Sequence, residues 1–366
     1  MNLTDFTFQS FRFLLFPFSI LYAGVVKLRH LFYDRKWFSS VQFNLPVISV
    51  GNLSVGGTGK SPMIEYLVQI LKDDYKPAIV SRGYKRRTKG YVLANDKTTA
   101  LEIGDEPMQF KLHFPDVPVA VCERRIEAIP QLLQDCPDTY VVLLDDAYQH
   151  REIVPSFSIL LTDYNNLFTR DFTLPTGDLR DLRSAYKRAD LIVVTKCPPD
   201  LHDRQMKNIE EEIKPYAHQQ VLFATFEYEK LYSLSNPDLK KELLPETGVL
   251  LVTGIANPKP LKQYLQKQEN GYEFLSFPDH HIFTIEDFRM MKKKFEQMKE
   301  KDKIIITTEK DAVRLFKFKD ELHAVPIYVL PVRHHFLKEG DRLIRLRIGE
   351  MLDVFKKDSA KTDNIN

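Results

Sequence analysis

The chain is poor in cysteine. Only Cys122, Cys136 and Cys197 occur in its 366 residues. They lie far apart and never form a Cys-x-x-Cys pair, which excludes a disulfide framework and a cysteine zinc site. A reducing, cytosolic compartment fits that usage. An excess of either charge sign is also missing: 52 Lys and Arg face 50 Asp and Glu, for a formal net charge of +2. Dedicated nucleic-acid binding normally carries a strong basic excess, because phosphate contacts dominate affinity, so no nucleic-acid partner is expected. Internal repeats and low-complexity tracts are absent, and 43% hydrophobic with 28% charged residues is a globular rather than a disordered composition. Nor does the N-terminus offer a clean membrane span. Its uncharged run is 14 residues long, Phe13 to Val26. As a helix that is about 21 Å, against roughly 30 Å of bilayer hydrocarbon.

That run is nevertheless the first informative feature. It is rich in Phe, Leu and Ile, is interrupted by Pro17, and is followed by Lys27, Arg29, Arg35 and Lys36 interleaved with Phe32, Tyr33, Trp37 and Phe38. Basic residues mixed with aromatics suit a lipid headgroup region. Residues 1–40 are therefore expected to associate with a membrane, lying in the interface or dipping through it; a first core helix is the plainer alternative. A cleaved signal peptide is disfavoured, since the apolar stretch begins late and no small-residue cleavage pattern follows it.

A length of 366 residues exceeds what one core usually supports and suggests two domains. Short apolar runs recur at 47–50, 78–80, 119–121, 141–144, 159–161 and 191–194, nearly continuous as in strands buried on both faces. Ile64, Leu67, Val68 and Leu71 show the spacing of a core-facing helix. The fold class is α/β: a P-loop NTPase-like parallel sheet flanked by helices, expected over 41–230. A second group of runs, at 221–226, 249–252, 304–307 and 327–330, points to a smaller α/β domain over 231–350. Its connector is placed at Leu231 to Glu246, and residues 351–366 read as a solvated tail.

The strongest single signal is Gly51-Asn52-Leu53-Ser54-Val55-Gly56-Gly57-Thr58-Gly59-Lys60-Ser61, set between a strand and an amphipathic helix. That context is what a phosphate-binding loop requires. Glycines turn backbone N–H groups toward phosphate oxygens and the helix N-terminus adds positive charge. Residues 54–61 are the nucleotide-binding candidates, with Lys60 on the β and γ phosphates and Ser61 on Mg²⁺. The strict motif has glycine where this chain has Ser54. A P-loop also needs a carboxylate at the end of a neighbouring strand, and Val141-Val142-Leu143-Leu144-Asp145-Asp146 supplies two, both metal candidates.

Other stretches are less specific. Gly104-Asp105-Glu106-Pro107 reads as a helix N-terminus with Asp105 as cap, or as a general base beside a metal-side carboxylate. In Phe277-Pro278-Asp279-His280-His281 the adjacent histidines must point apart, so one histidine near a carboxylate is favoured over chelation by both. Thr284 with Asp287, and Thr308 with Asp311, are simple helix caps. Arginines at 82, 86–87, 124–125, 180 and 183 follow strands and turns, where an open α/β sheet meets anionic ligands.

Taken together, GNLSVGGTGKSP (51–62), SRGY (81–84), GDEP (104–107), DDAYQHR (145–151), LPTGDLRD (174–181), TGIANP (253–258) and FPDHH (277–281) closely resemble the tetraacyldisaccharide 4′-kinase family of the lipid A pathway. The resemblance runs in order to about residue 350. It implies transfer of the ATP γ-phosphate to the 4′-hydroxyl of a lipid A disaccharide 1-phosphate at the cytoplasmic face of an inner membrane, with ATP and Mg²⁺ as cofactors and no obligate protein partner. Carried over, Lys60 and Ser61 keep their roles, Asp105 pairs with His280 as base, Glu106, Asp145 and Asp146 surround the metal, and Arg180 stabilises transferred charge. Two positions depart from the family: Ala147 stands where glycine is common, and Asp181 where glutamate is common. Asp181, too short for the same partner, is left out of the site. Two rival classes use some of the same parts. A P-loop switch protein would hydrolyse nucleotide to water, but Thr195-Lys196-Cys197-Pro198 lacks the Asn and Asp of a guanine-reading motif. A non-catalytic membrane binding protein leaves the carboxylates and His280 without a purpose.

Overall fold

The six early apolar runs become neighbours in one sheet. The computed structural model describes residues 12–268, 270–318, 321–322 and 325–363. Residues 1–11 of the expected membrane-associating segment and 364–366 of the expected tail lie outside these. In chain order the first strands are β1 Val47–Asn52, β2 Pro77–Ser81, β3 Val92–Leu93, β4 Val119–Val121, β5 Val141–Asp145, β6 Phe157–Asp163, β7 Leu191–Thr195 and β8 Gln220–Tyr228. A later strand, β15 Val332–Phe336, joins them in the spatial order β15-β8-β7-β6-β1-β5-β2-β4-β3. The interior pairs are parallel, and only the two edge pairs, β15 with β8 and β3 with β4, are antiparallel. β1, β2, β4, β5 and β7 are buried at every position, which is why their sequences are continuously apolar.

Helix α1 is Phe16–Asp34 and α2 is Lys60–Leu71. Met63, Ile64, Leu67, Val68 and Leu71 of α2 join Ile48, Val50, Leu143 and Ile159 in one core. Helix α3, Asp105–His113, and α4, Arg125–Asp135, follow β3 and β4 in the chain, and α5 is Asp203–Ile213.

The second sheet holds β9 Leu231–Ser233, β10 Lys240–Lys241, β11 Gly248–Thr253, β12 Tyr272–Ser276, β13 Lys303–Thr308 and β14 Ile327–Leu330, in the order β10-β9-β14-β13-β11-β12. Its helices are α6 Lys259–Lys267, α7 Ile285–Gln297 and α8 Glu309–Leu315. Three expectations are corrected. The run at 221–226 lies in β8 and pairs with β7 of the first sheet, not with the later strands. The expected connector carries β9 and β10, the antiparallel edge of the second sheet. Beyond β14 the chain returns: β15 pairs with β8, and helix α9, Gly340–Asp363, buries Ile344, Ile348 and Leu352 in the first core. Residues 332–350 thus pack with the first sheet, and the expected tail from 351 is helix, because an apolar stripe at helical spacing continues past it.

Candidate active site

β1 and β5 are adjacent and in register, with Val50 beside Asp145. The loop that leaves β1 and the two aspartates that end β5 are therefore side by side at the carboxyl edge of the sheet. The loop's permissive positions are Gly56 (φ 104°) and Gly59 (φ 90°), both left-handed. Ser54 takes no positive φ and is bridged to Leu179, so serine is tolerated where the strict motif has glycine. The rest of the loop is pinned from its flanks. Val55 N–H donates to Asp178 O (2.7 Å), Thr195 Oγ1 donates to Thr58 O (2.9 Å), and His334 Nε2 stands 2.9 Å from Gly59 O. A side chain at Gly59 would strike His334 and Phe226 at 2.9 Å. Burial drives the His334 pKa down to about 4, so its ring is neutral and Nε2–H is the donor.

Around this loop the carboxylates are held by cations. Lys60 Nζ is 3.8 Å from Asp146 Oδ1. Arg180 reaches both oxygens of Asp146, donating through Nη1 to Oδ2 at 3.1 Å, and it also donates to Asn52 Oδ1 at 2.6 Å. Asp146 itself sits at φ 47°, which an aspartate accepts more readily than most residues and which aims the carboxylate at these partners. Burial works against its charge, but Lys60, Arg180 and Arg125 outweigh it and hold the pKa at about 2. Asp145 behaves oppositely. It is 1% exposed, accepts from Ser81 Oγ at 2.9 Å, and burial with the charges of Glu106 and Asp146 raises its pKa to about 7. Glu106 accepts from Ser61 Oγ (3.3 Å) and Lys310 Nζ (2.8 Å), and the charges of Lys310 and Lys60 hold its pKa down despite burial.

The neighbouring residue Asp105 faces a different group. Arg314 donates to Asp105 Oδ2 from Nε (2.8 Å) and Nη2 (2.7 Å), and His280 Nδ1 lies 3.3 Å from the same oxygen and 3.1 Å from Arg314 Nη2. Asp105 is thus not a helix cap: α3 is preceded by Gly104 at φ 95° and has no side-chain cap bond. His280 takes φ 60°, and its neighbour turns away to Asp287 Oδ2 at 2.8 Å, so the two histidines do point apart.

Every candidate residue from 54 to 61, with Glu106, Asp145, Asp146 and Arg180, falls in the first group, and Asp105 with His280 in the second. The two groups join through the peptide between Asp105 and Glu106. Reading the sequence missed Lys310, Arg314 and Asn52. The Thr308 cap is real, with Asp311 N–H donating to Thr308 Oγ1 at 3.1 Å. However, the helix it caps also delivers Lys310 and Arg314 to the site, and a capping pattern gives no sign of that. Both departures also find places. Ala147 takes no positive φ and needs no glycine. Asp181 lies 2.8 Å from His30 Nε2 and 3.0 Å from Arg188 Nη2, serving the seam under α1 rather than the phosphate loop.

The sequence profile of the tetraacyldisaccharide-1-phosphate 4′-kinase family matches residues 11–348. The chain belongs to the tetraacyldisaccharide 4′-kinase family. It is 42% identical over 356 residues to the tetraacyldisaccharide 4′-kinase of Phocaeicola vulgatus, covering 95% of this chain and 96% of that protein. It is 46% identical over 325 residues to the one from Flavobacterium johnsoniae, covering 88% and 92% respectively. Among solved structures it is similar to LpxK from Aquifex aeolicus in complex with ATP, with a TM-score of 0.75 and 27% identity over 93% of this chain and 99% of that one.

Proposed function

We infer that this protein is an ATP-dependent kinase that transfers the γ-phosphate to the 4′-hydroxyl of tetraacyldisaccharide 1-phosphate in lipid A biosynthesis. The observation that carries the reading is the adjacency of two groups: a phosphate loop with its carboxylates, and an Asp105–His280 pair one residue from Glu106. The β1-loop-α2 unit is the P-loop element. Its backbone from Gly56 to Lys60 cradles the phosphates, and Lys60 and Arg180 spread the charge that develops on the transferred group. Asp146 holds both cations in place beforehand, so little reorganisation is left for the reaction.

The residues fit Mg²⁺. The donor set of Ser61, Glu106, Asp145 and Asp146 is all oxygen, and Asp145 Oδ1 is buried without a hydrogen-bond partner among the described residues. These four would hold the ion, which when bound supplies neutralising charge at the phosphates. On the acceptor side, Asp105 takes the proton of the sugar hydroxyl as its oxygen bonds to the γ-phosphorus and the bond to the ADP oxygen breaks. His280 Nδ1 has a single site to share between Asp105 and Arg314. It therefore orients the carboxylate together with Arg314, which donates twice to Asp105 Oδ2.

α1 supplies access to the lipid. Among the described residues no helix is long and apolar enough to cross a membrane. Yet Phe13, Leu14, Phe18, Ile20, Leu21, Val25 and Leu28 are exposed, a contiguous apolar face of the kind that lies in a bilayer interface. That exposure supports a site of action at the cytoplasmic face of the inner membrane, with the apolar side of α1 in the headgroup region. The direct test follows radiolabel from γ-labelled ATP into a tetraacyl disaccharide 1-phosphate in detergent, wild type beside Lys60→Ala. Label in the lipid that vanishes in the variant is expected. Label released only as free phosphate would refute the reading and favour a switch-type ATPase.

A further inference from the structure

Behind the site lies a second cluster of charges that the reaction does not use. Glu65 on α2, His113 at the end of α3, Glu309 at the start of α8 and Arg333 on β15 meet in the interior. Glu65 Oε1 accepts from Gln109 Nε2 (2.7 Å) and lies 2.9 Å from His113 Nδ1. Arg333 Nη1 is 2.8 Å from Glu65 Oε2 and 2.8 Å from Glu309 Oε1, and His113 Nε2 is 3.3 Å from Glu309 Oε1 and 3.0 Å from the Tyr232 hydroxyl. Two acids face two bases, and the guanidinium occupies the position between the carboxylates that a metal ion would need. Glu65 and Glu309 are almost wholly buried. Buried charges are tolerated only when paired in good geometry. The cluster is therefore compatible with one relative placement of its elements.

Those elements carry the site. α2 starts with Lys60 and Ser61, α3 with Asp105 and Glu106, and α8 places Lys310 and Arg314 beside Glu309. The contacts across the site, Lys310 with Glu106 and Arg314 with Asp105, join α8 of the second sheet to α3 of the first. We propose that Glu65, His113, Glu309 and Arg333 are positioning residues for phosphoryl transfer: their ionic cluster sets the spacing of α2, α3 and α8, and so holds Lys310 and Arg314 against Glu106 and Asp105. This rests on the reading of Lys60, Asp105 and Glu106 as the site.

The test uses the full chain and Glu309→Gln, which keeps volume and hydrogen-bonding capacity but removes one charge. A misplacement of about 1 Å can cost on the order of 10²-fold in rate. The expected result is a fall in kcat of about 10- to 100-fold, with KM for ATP changed less than about threefold, in a protein that still unfolds cooperatively. Combining Glu309→Gln with Lys310→Met should cost no more than the worse single variant, because both act through one contact, whereas independent effects would multiply. Asp302→Asn serves as a control for general loosening of the second sheet, since among the described residues its side chain, just before β13 and at the end away from Lys310, binds Lys241 and Thr247, and it should keep full kcat. If Glu309→Gln does not fold, Arg333→Lys takes its place and should show the same pattern with a smaller loss. Wild-type kcat in the folded variant, or multiplicative losses in the double variant, would overturn the proposal. Failure of the site reading would register separately, as unchanged turnover in Asp105→Ala.

Discussion

Helices α1 and α2 are both rich in apolar residues and have opposite fates. In α2, eight of its 12 residues are buried; in the 19 of α1 the only buried residue is a serine. Apolar composition did not decide which helix is covered. α2 lies against the first sheet, with Tyr66 meeting Phe336 of β15 at a ring separation of 5.1 Å. α1 is attached by its polar side chains instead. Ser19 Oγ donates to Thr173 O (2.9 Å) and lies 2.7 Å from the Thr176 hydroxyl, Tyr22 OH donates to Arg180 O (2.9 Å), and Arg151 pairs with Asp34 at 2.6 Å. A surface helix usually turns its apolar stripe inward. This one turns it outward, and its polar anchors touch the backbone of the residue that clamps Asp146. The difference separates a helix whose apolar side is packed into the core from one whose apolar side stays exposed, the side that the proposed function assigns to a lipid surface.

The sharpest way to probe the acceptor side of the site is Asp105→Ala. Its kcat should fall about 10²- to 10⁴-fold while ATP binding, followed by calorimetry, barely changes; loss of ATP binding instead would return Asp105 to a structural role. Next comes the contrast between the helices themselves. Leu67→Ala in α2 should destabilise by about 2 to 5 kcal/mol, and Leu21→Ala in α1 by no more than about 0.5 kcal/mol, both read from urea unfolding. Equal costs would make α1 an ordinary core helix.

His334 sharpens the comparison through pH. Its folded-state pKa, near 4 against 6.5 in the unfolded chain, is depressed, so the stability it contributes is present above pH 6.5 and lost as pH falls toward 4. The loss reaches at most about 3 kcal/mol. His334→Gln retains a donor for Gly59 O but cannot titrate, and should flatten that part of the curve. An identical slope in the variant would show that the ring is not buried neutral. The smallest effect on folding is expected for Leu21→Ser with Val25→Ser, which should leave unfolding nearly unchanged yet weaken cosedimentation with anionic vesicles. Undiminished sedimentation would remove the lipid role of that face.

Much of this was legible in the sequence, for definite reasons. Strands such as Val141–Asp145 are covered on both faces and so read as unbroken apolar runs. The phosphate loop is legible because glycine and lysine chemistry repeats wherever backbone must cradle phosphate. β15 was hidden, since Val332-Arg333-His334-His335-Phe336 mixes charge with apolar residues, and its partner β8 lies more than 100 residues earlier. Lys310 and Arg314 were hidden for another reason: a capping pattern already explained their helix, and only the packing of α8 against α3 brings them to Asp105 and Glu106.

The reaction itself is tested most directly by phosphorus NMR of the lipid product made from ATP and tetraacyldisaccharide 1-phosphate. The expected spectrum shows a second phosphomonoester, coupled to the sugar proton at the 4′ position, beside the original 1-phosphate. Inorganic phosphate as the sole new signal, or an ester at any other hydroxyl, would contradict it.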